Sequence, residues 1–541
     1  MKMKIRFMPA DKEIFVNKTD NLLNIANHAG VLIDASCGGT KKCGKCKVKI
    51  LSGATAPLTE TETSLLSLFE IENGYRLACC LDIDSDLEVY VPASHGGSTR
   101  KKRMTILPEG FVADTFECSS PCYGIAFDIG TTTVVGMLWS LANHTLVDTE
   151  ARTNYQSVYG ADVISRIQFC NQDDSNVTLL QQKIISCFND ILEDLLIRNQ
   201  ILPQQIHDVT IVGNTTMSHL VTGVHPRPLA LAPFTPVFLE APNLSAEELG
   251  LHVNPSANVY LLPNIAGHVG SDIVGMMLST SIYKSSGSHI AIDIGTNGEI
   301  VAIKNGRLLT CSTAAGPAFE GACIYHGMRA ASGAIEKVVI TGGEVQIQTI
   351  DNSVPVGLCG SGLIDAVAAL LDAGVIEPSG RMLPQDEALE EELPYSLCKR
   401  IITYNHLPAF VLTPSDQAEP VLLTQQDVRE VQLAKGAILA GIQTLMKMLD
   451  MKEHEIDSIL LAGAFGNYID KSSALRMGLL PDISKEKIVS VGNAAGAGAS
   501  MALLSSEQRD IASRIAKETE HVELSLNMDF QEFYMYAMTF E

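Results

Sequence analysis

Apolar and polar positions alternate with a period of two at the start of the chain, in KIRFM (4–8) and EIFVNK (13–18), which predicts two paired strands. The spacing then becomes that of a short helix over NLLNIANHAG, with Asp20 as the expected cap and Gly30 ending it through a left-handed turn. A glycine- and lysine-rich loop, Cys37 to Cys46, leads into a strand in CKVKIL. Thr59-Glu60-Thr61-Glu62 is a capping box that opens another helix, and LEVYVP (87–92) is a last strand. HGGSTRKKR (95–103) carries no apolar period and starts a linker.

Strands around one helix make residues 1–94 a β-grasp pattern, with 95–119 as the linker. Beyond it the pattern changes to long α/β alternation: strands in YGIAFDIG, TTTVVGMLWS and VTIVGNTTM, helices around GADVISRIQFC and LLQQKIISCFNDILEDLLIRN. The Pro-rich stretch 224–248 reads as a surface excursion before VYLLPNIAG resumes a strand. Asp-Ile-Gly-Thr occurs at 128–131 and again at 293–296, each time between two apolar strands. That repetition predicts two related halves, 120–286 and 287–541, and an α/β multidomain protein.

Composition narrows the function. With 46% hydrophobic residues the chain can bury several cores, and a net charge of −23 argues against a nucleic-acid binder, which needs clustered Lys and Arg. No apolar run approaches the roughly 18–20 residues of a membrane span, and no signal-peptide pattern opens the chain. A cytoplasmic enzyme with reduced thiols is the expectation.

Of the 13 cysteines, Cys37, Cys43, Cys46, Cys79 and Cys80 fall within the first 80 residues. Three thiolates on one tight loop and a fourth on a distant segment suit an iron–sulfur cluster, close to the plant-type spacing with one residue more in the first interval. Zinc usually takes two short-spaced knuckles, and only one is present. Cys79 and Cys80 compete for the fourth place, and the ferredoxin-like pattern Arg-Leu-Ala-Cys puts it at Cys79. Lys41, Lys42, Lys45, Lys47 and Lys49 surround the loop, either as a solvated face or as a docking patch for an acidic redox partner.

A strand ending in Asp, then Gly-Thr, then a second strand makes a turn whose backbone N–H groups can face phosphate oxygens, with the Asp placed to hold Mg²⁺ through water. Asp128 with Gly130, Thr131 and Thr132, and Asp293 with Gly295, Thr296, Asn297 and Gly298, would clamp a nucleotide from both sides of a cleft. In ILLAGAFGNYID the small residues Gly463 and Gly466 would let a base and ribose lie against backbone, and VGNAAGAGAS opens a closely packed final helix.

At this point the chain resembles a family. The two phosphate turns and the late Gly-rich turn look like the ASKHA superfamily of acetate and sugar kinases, Hsp70 and actin, with its two-lobed RNase H-like ATPase. Joined to a [2Fe–2S] module through CGGTKKCGKC and RLAC, the whole resembles the reductive activators of corrinoid proteins. The resemblance implies an ATP-dependent, Mg²⁺-using electron-transfer enzyme. It would pass one electron from the cluster to Co(II) of a methyltransferase system's corrinoid protein, regenerating Co(I). Residue by residue it implies Cys37, Cys43, Cys46 and Cys79 as ligands, Asp128 and Asp293 as the catalytic carboxylates, and the turn residues above as nucleotide contacts. It also implies an external low-potential electron donor. The oligomeric state stays open, a homodimer among the options. Two other readings compete: an ATP-driven activator of another low-potential enzyme, such as a 2-hydroxyacyl-CoA dehydratase, and a metabolite kinase with a redox-sensing domain. The ferredoxin-like module favours the first reading over the former, and the lack of a phosphoryl-accepting base over the latter.

Several residues read more simply as structure. Cys311, Cys323 and Cys359 lie in Gly/Ala-rich apolar segments and are expected in the core, and His268 and His326 as hydrogen-bonded structural histidines. GNTTMSHL (213–220) is expected as a capped helix start, Glu299 as a candidate for positioning water, and Cys118 with Cys122 as a weak metal candidate.

Overall fold

The structure is a computed structural model. It describes residues 2–16, 20–31, 33, 35, 39, 41, 44–66, 70–92, 107–108, 110–116, 121–240, 243–413, 420–466 and 468–540, with residues 68, 69, 464 and 465 described by backbone alone. Cys37, Cys43, Lys42, Cys118 and most of the linker, including Arg100 and Arg103, lie outside the described residues.

The N-terminal module is one five-stranded sheet in the order β2-β1-β5-β3-β4, formed by β1 (Met3–Met8), β2 (Lys12–Val16), β3 (Lys47–Gly53), β4 (Tyr75–Leu77) and β5 (Leu87–Tyr90). β1 pairs antiparallel with β2 and parallel with β5, and the helix Leu22–His28 buries Leu22, Leu23, Ile25 and Ala26 in the same core as Ile5, Phe7, Val48 and Val89. This is the β-grasp arrangement. The helix cap differs from expectation by one residue: Asn21 accepts from the Asn24 N–H, while Asp20 Oδ1 accepts from the Asn21 N–H and the Asn24 side chain. The shift follows from Asn21 having the extended backbone of a cap. The capping box at Thr59 and Glu62 is present.

Two further sheets share one plan. The first runs β10-β11-β9-β6-β7-β8, from β6 (Tyr123–Ile129), β7 (Thr133–Ser140), β8 (Thr145–Thr153), β9 (Ile206–Gly213), β10 (Leu244–Ser245) and β11 (Asn258–Leu261). The second runs β22-β21-β12-β13-β14-β23. Its central members are β12 (Ser288–Ile294), β13 (Gly298–Lys304) and β14 (Arg307–Thr313), flanked by β21 (Ser458–Ala462), β22 (Ile488–Gly492) and β23 (Glu520–His521). In each, a three-strand antiparallel meander (β6-β7-β8, β12-β13-β14) is extended by parallel strands (β9-β11, β21-β22). The repeated Asp-Ile-Gly-Thr therefore marks a duplicated RNase H-like sheet. Two small sheets complete the second half: β15 (Ala334–Thr341) with β16 (Glu344–Thr349) and β17 (Gly357–Leu358), and β18 (Ile401–Tyr404) with β19 (Leu407–Val411) and β20 (Leu422–Thr424).

The helices Ser271–Thr280 and Ala494–Leu504 pack against each other backbone to backbone: a Cβ on Gly498 would stand 2.1 Å from Gly275 O. The Ala494 helix is all but uniformly apolar because it is buried all round, yet it is not the last, since Ser506–Glu518 and Met528–Ala537 follow. It belongs by sequence to the second half but packs on the first sheet, where Trp139 Nε1 donates to Ser500 Oγ at 3.0 Å and Thr210 Oγ1 to Ala499 O at 2.8 Å. Asp114 accepts from Ser505 and Ser506 beyond the same helix end, so the chain ahead of β6 is fastened there too.

Candidate nucleotide cleft and cluster loop

The two turns sit at equivalent ends of β6 and β12. Gly130 N–H donates to Thr133 O and Gly295 N–H to Asn297 O, both at 2.9 Å, so the second turn is one residue tighter. That single residue changes what faces the carboxylate of each turn: Asp128 lies across from Val135, whereas Asp293 lies across from Glu299. Two carboxylates directly opposite each other would repel if both were ionised, and burial raises both toward the protonated form.

The first turn is held from behind. Asn154 Nδ2 donates to Gly130 O at 2.9 Å, and the Arg166 guanidinium donates to Thr131 O. Because C=O and N–H point opposite ways across a trans peptide, the Thr131 and Thr132 N–H groups point away from that scaffold. Asn214 caps its helix and also reaches Thr131 Oγ1 at 3.3 Å, so GNTTMSHL is both a cap and part of the turn's support. Arg166 is fully buried. It also donates to Gly160 O and Gln156, burial pulls it down to about 9, and Asp162 and Glu320 act on it only at longer range. A buried cation without a paired carboxylate is costly and favours an anion in the cleft.

Glu320 joins the halves. Its carboxylate accepts from Thr132 Oγ1 at 3.0 Å and Thr296 Oγ1 at 2.7 Å, one hydroxyl from each turn. Near the two turns Asp128, Asp272, Asp293 and Glu299 form a group of interacting carboxylates. Burial pushes Asp128 up to about 7, with Asp293 adding to it, and pushes Asp293 up to about 6. Asp272 and Glu299 are raised by burial first and by their carboxylate neighbours second. Asn493, which caps the Ala494 helix, and Asn297 hydrogen-bond to Asp128 and Glu299 and offset part of this. Such a concentration of buried carboxylates, each raised by burial, is suited to a divalent cation, which would favour their ionised forms. Among the described residues no group of three His, Cys, Asp or Glu side chains is placed to hold a metal ion directly.

Gly463 and Gly466 form the tight turn after β21, Gly463 against Asp293 and Gly466 against the Leu461 backbone. Beyond them a concavity of about 390 Å³ is lined by Ser361, Asp365, Tyr468 and Asp470, among others. Asp365 Oδ1 is buried there without a hydrogen-bond partner.

On the N-terminal module Cys46 and Cys79 are buried with their sulfurs 3.3 Å apart, well beyond the roughly 2.05 Å of a disulfide. Cys80 Sγ lies 3.8 Å from Cys79 Sγ, and burial, with the Cys79 thiol beside it, pushes it up to about 11. Cys46 and Cys79 thus converge from the loop and from the strand end, as two ligands of one cluster must. Arg76 in the Arg-Leu-Ala-Cys pattern is a structural anchor: it grips Glu62 at 2.8 and 2.9 Å, and Glu62 also accepts from the Leu77 and Thr59 N–H groups.

The lysines divide differently from expectation. Lys45 Nζ donates to Ile324 O at 3.2 Å and Gly327 O at 2.7 Å in the second half, Lys47 pairs with Glu70, and Lys49 lies over the Tyr75 ring. Three of the five are thus used within the chain, leaving the exposed Lys41 among the described ones. Cys311 and Cys359 are buried as expected, but Cys323, next to the Ile324 carbonyl that Lys45 contacts, is exposed. His326 accepts from the Leu422 N–H and burial, with Lys47 and Lys45 nearby, pulls it down to about 4. His268 is lowered by burial against Phe234. Both are structural. The sequence had not singled out Asp272, Glu320, Arg166 or Asn493.

Models of three families match the chain in series: a 2Fe-2S iron-sulfur cluster binding domain over 7–83, the RACo middle region over 123–285, and the C-terminal ASKHA domain of RACo over 288–541. The corrinoid activation enzyme RamQ of Eubacterium limosum is 31% identical over 98% of both chains. A [Co(II) methylated amine-specific corrinoid protein] reductase of Methanosarcina barkeri is 26% identical over 77% of both. A solved structure described as a reductive activator for corrinoid,iron-sulfur protein covers 99% of this chain and 98% of its own at a TM-score of 0.70 and 31% identity. With its β-grasp module and duplicated RNase H-like sheets matched along nearly the whole length, this chain belongs to the RACo family of corrinoid activators.

Proposed function

We propose that the protein performs the reductive activation of a corrinoid protein, an ATP-assisted transfer of one electron to Co(II) that regenerates Co(I) for a methyltransferase system. The observation that carries the reading is the pairing, in one chain, of converging buried thiols at Cys46 and Cys79 with two facing Asp-Ile-Gly-Thr turns. When bound, a [2Fe–2S] cluster supplies a one-electron carrier. Cys37, Cys43, Cys46 and Cys79 would hold it, and an external low-potential donor would restore its electron.

The chain's own residues do the nucleotide work. The Thr131 and Thr132 N–H groups and the Thr296 hydroxyl would take phosphate oxygens, Arg166 supplies positive potential behind the first turn, and Asp128 and Asp293 would hold the water shell of Mg²⁺. The nucleoside end would lie past Gly463 and Gly466, toward the concavity of Ser361, Asp365 and Tyr468. Phosphate binding across both turns would draw the two sheets together, which is how hydrolysis can change the geometry of a bound partner. Among the described residues no helix is long and apolar enough to cross a membrane.

The test is a visible and EPR titration of the anaerobically purified protein with a co-expressed corrinoid protein. Co(I) should appear in amounts that depend on ATP and on a reduced cluster. Co(I) formation that ignores ATP, or a colourless protein, would overturn the reading.

A further inference from the structure

We propose that Glu320 occupies the place of a nucleotide phosphate and, through the loop that follows it, ties the state of the cleft to the docking of the cluster module. The inference rests on the nucleotide reading above and adds a coupling residue to it.

Glu320 is the one carboxylate among the described residues that accepts from a hydroxyl of each turn, Thr132 and Thr296. Those hydroxyls are what a phosphate between the turns would need. A phosphate and a carboxylate are both anions, so they cannot share the position, and nucleotide must displace the Glu320 side chain.

Glu320 is also the first arm of a closed loop. A Cβ on Gly327 would stand 2.2 Å from Gly321 O, and one on Gly321 2.6 Å from Met328 N, so the two arms lie backbone against backbone. Gly327 N–H donates to Ile324 O at 3.0 Å, and Tyr325 N–H to Asp427 at 2.7 Å fixes the loop's middle as a pivot. On the outer side of this loop Lys45 Nζ caps Ile324 O and Gly327 O. Lys45 precedes Cys46 directly, so these two hydrogen bonds fasten the chain at Cys46 to the second half. β17 holds the far arm through Met328 N–H to Leu358 O and Leu358 N–H to His326 O, both at 2.8 Å. A shift of the arm that carries Glu320 thus moves Ile324 O relative to Gly327 O, and hydrogen bonds weaken steeply with misalignment. Displacing Glu320 therefore loosens Lys45 and frees the module's cluster side for the corrinoid partner.

The test uses the full-length holoprotein, Mg²⁺ with the non-hydrolysable analogue AMP-PNP, calorimetry for affinity and hydrogen-exchange mass spectrometry of peptides 44–53 and 321–333. In the wild type, nucleotide should speed exchange in both peptides. Glu320→Ala should show fast exchange without nucleotide and bind AMP-PNP about tenfold more tightly, since the competing anion is gone. Glu320→Gln, which keeps the shape and loses the charge, should shift in the same direction. Lys45→Ala should release peptide 44–53 alone, with nucleotide affinity within about twofold of wild type. Weaker nucleotide binding by both Glu320 variants would make Glu320 a phosphate or Mg²⁺ holder and overturn the proposal. Unchanged exchange in a wild type that does bind nucleotide would overturn it as well. A wild type that binds no nucleotide at all sinks the ATP reading itself, a different and separately visible outcome.

Discussion

Gly463 lies flat against Asp293: a Cβ built on the glycine would stand 2.4 Å from Asp293 Oδ1, and its φ of +81° is left-handed. The parallel pairing of β12 with β21 brings this about by setting Asp293 opposite Ala462. Turn and carboxylate thus form one wall of the cleft. Gly463→Ala must either shift Asp293 or carry strain on the order of 1–2 kcal/mol. Nucleotide affinity should fall by about tenfold or more, with iron content unchanged. Calorimetry beside an iron assay checks this, and an unaltered affinity contradicts the role of the contact.

The carboxylate group predicts a pH dependence with an unusual sign. Asp128 and Asp293 sit near 7 and 6 when folded, against the usual value near 4 for a free Asp, so between roughly pH 4 and 7 the folded state binds more protons than the unfolded one. Their contribution to stability is whole below that window and is lost as pH rises through it. A divalent cation favours the ionised form and restores it. Added Mg²⁺ should therefore raise Tm clearly at pH 8 and little at pH 5.5. Thermal scans with and without Mg²⁺ decide it, and an equal rise at both pH values would refute a cation site here.

Much of this was legible in the sequence, because a repeated motif and a cysteine spacing are local. The duplicated sheets followed from Asp128 and Asp293. What stayed hidden came from elements that fold into the cleft from afar. Asp272 opens a helix well before the second turn, and Glu320 lies on a 3-10 turn after β14, so no spacing announces either. Arg166 did leave a signal: an arginine between Val163, Ile167 and Cys170 on the buried face of its helix. The lysines misled because charge in a loop says nothing of where the loop is docked. Lys45 finds its partners some 280 residues away.

The fourth cluster ligand is open to a direct test. Cys79 already faces Cys46, while the Cys80 thiol is held in its protonated form by burial and the neighbouring Cys79. Cys79→Ser should lose most of the iron and the visible spectrum. Cys80→Ser should keep about two irons per chain. The reverse pattern would move the ligand to Cys80.

Arg76 explains why an arginine stands in front of that cysteine. Its guanidinium grips Glu62 through two nitrogens, and Glu62, fully buried, in turn accepts from the Leu77 N–H and closes the Thr59 capping box. Arg76 also donates to Ala56 O, so one side chain joins the capping segment to the strand that leads to Cys79. Arg76→Ala strands a buried carboxylate and should cost about 3–5 kcal/mol, a large share of what one small module has. Glu62, held below the ordinary carboxylate range by Arg76 and the backbone N–H groups against the opposing effect of burial, would then rise and take up a proton. Loss of stability in the variant should therefore be smaller at pH 5 than at pH 8, and the double change Arg76→Met with Glu62→Leu should recover part of it. Cluster retention during mild heating is the readout, because the strand end at Cys79 frays with the pair. An Arg76→Ala protein that holds its cluster as long as wild type at pH 8 would show that the pair does not anchor the ligand.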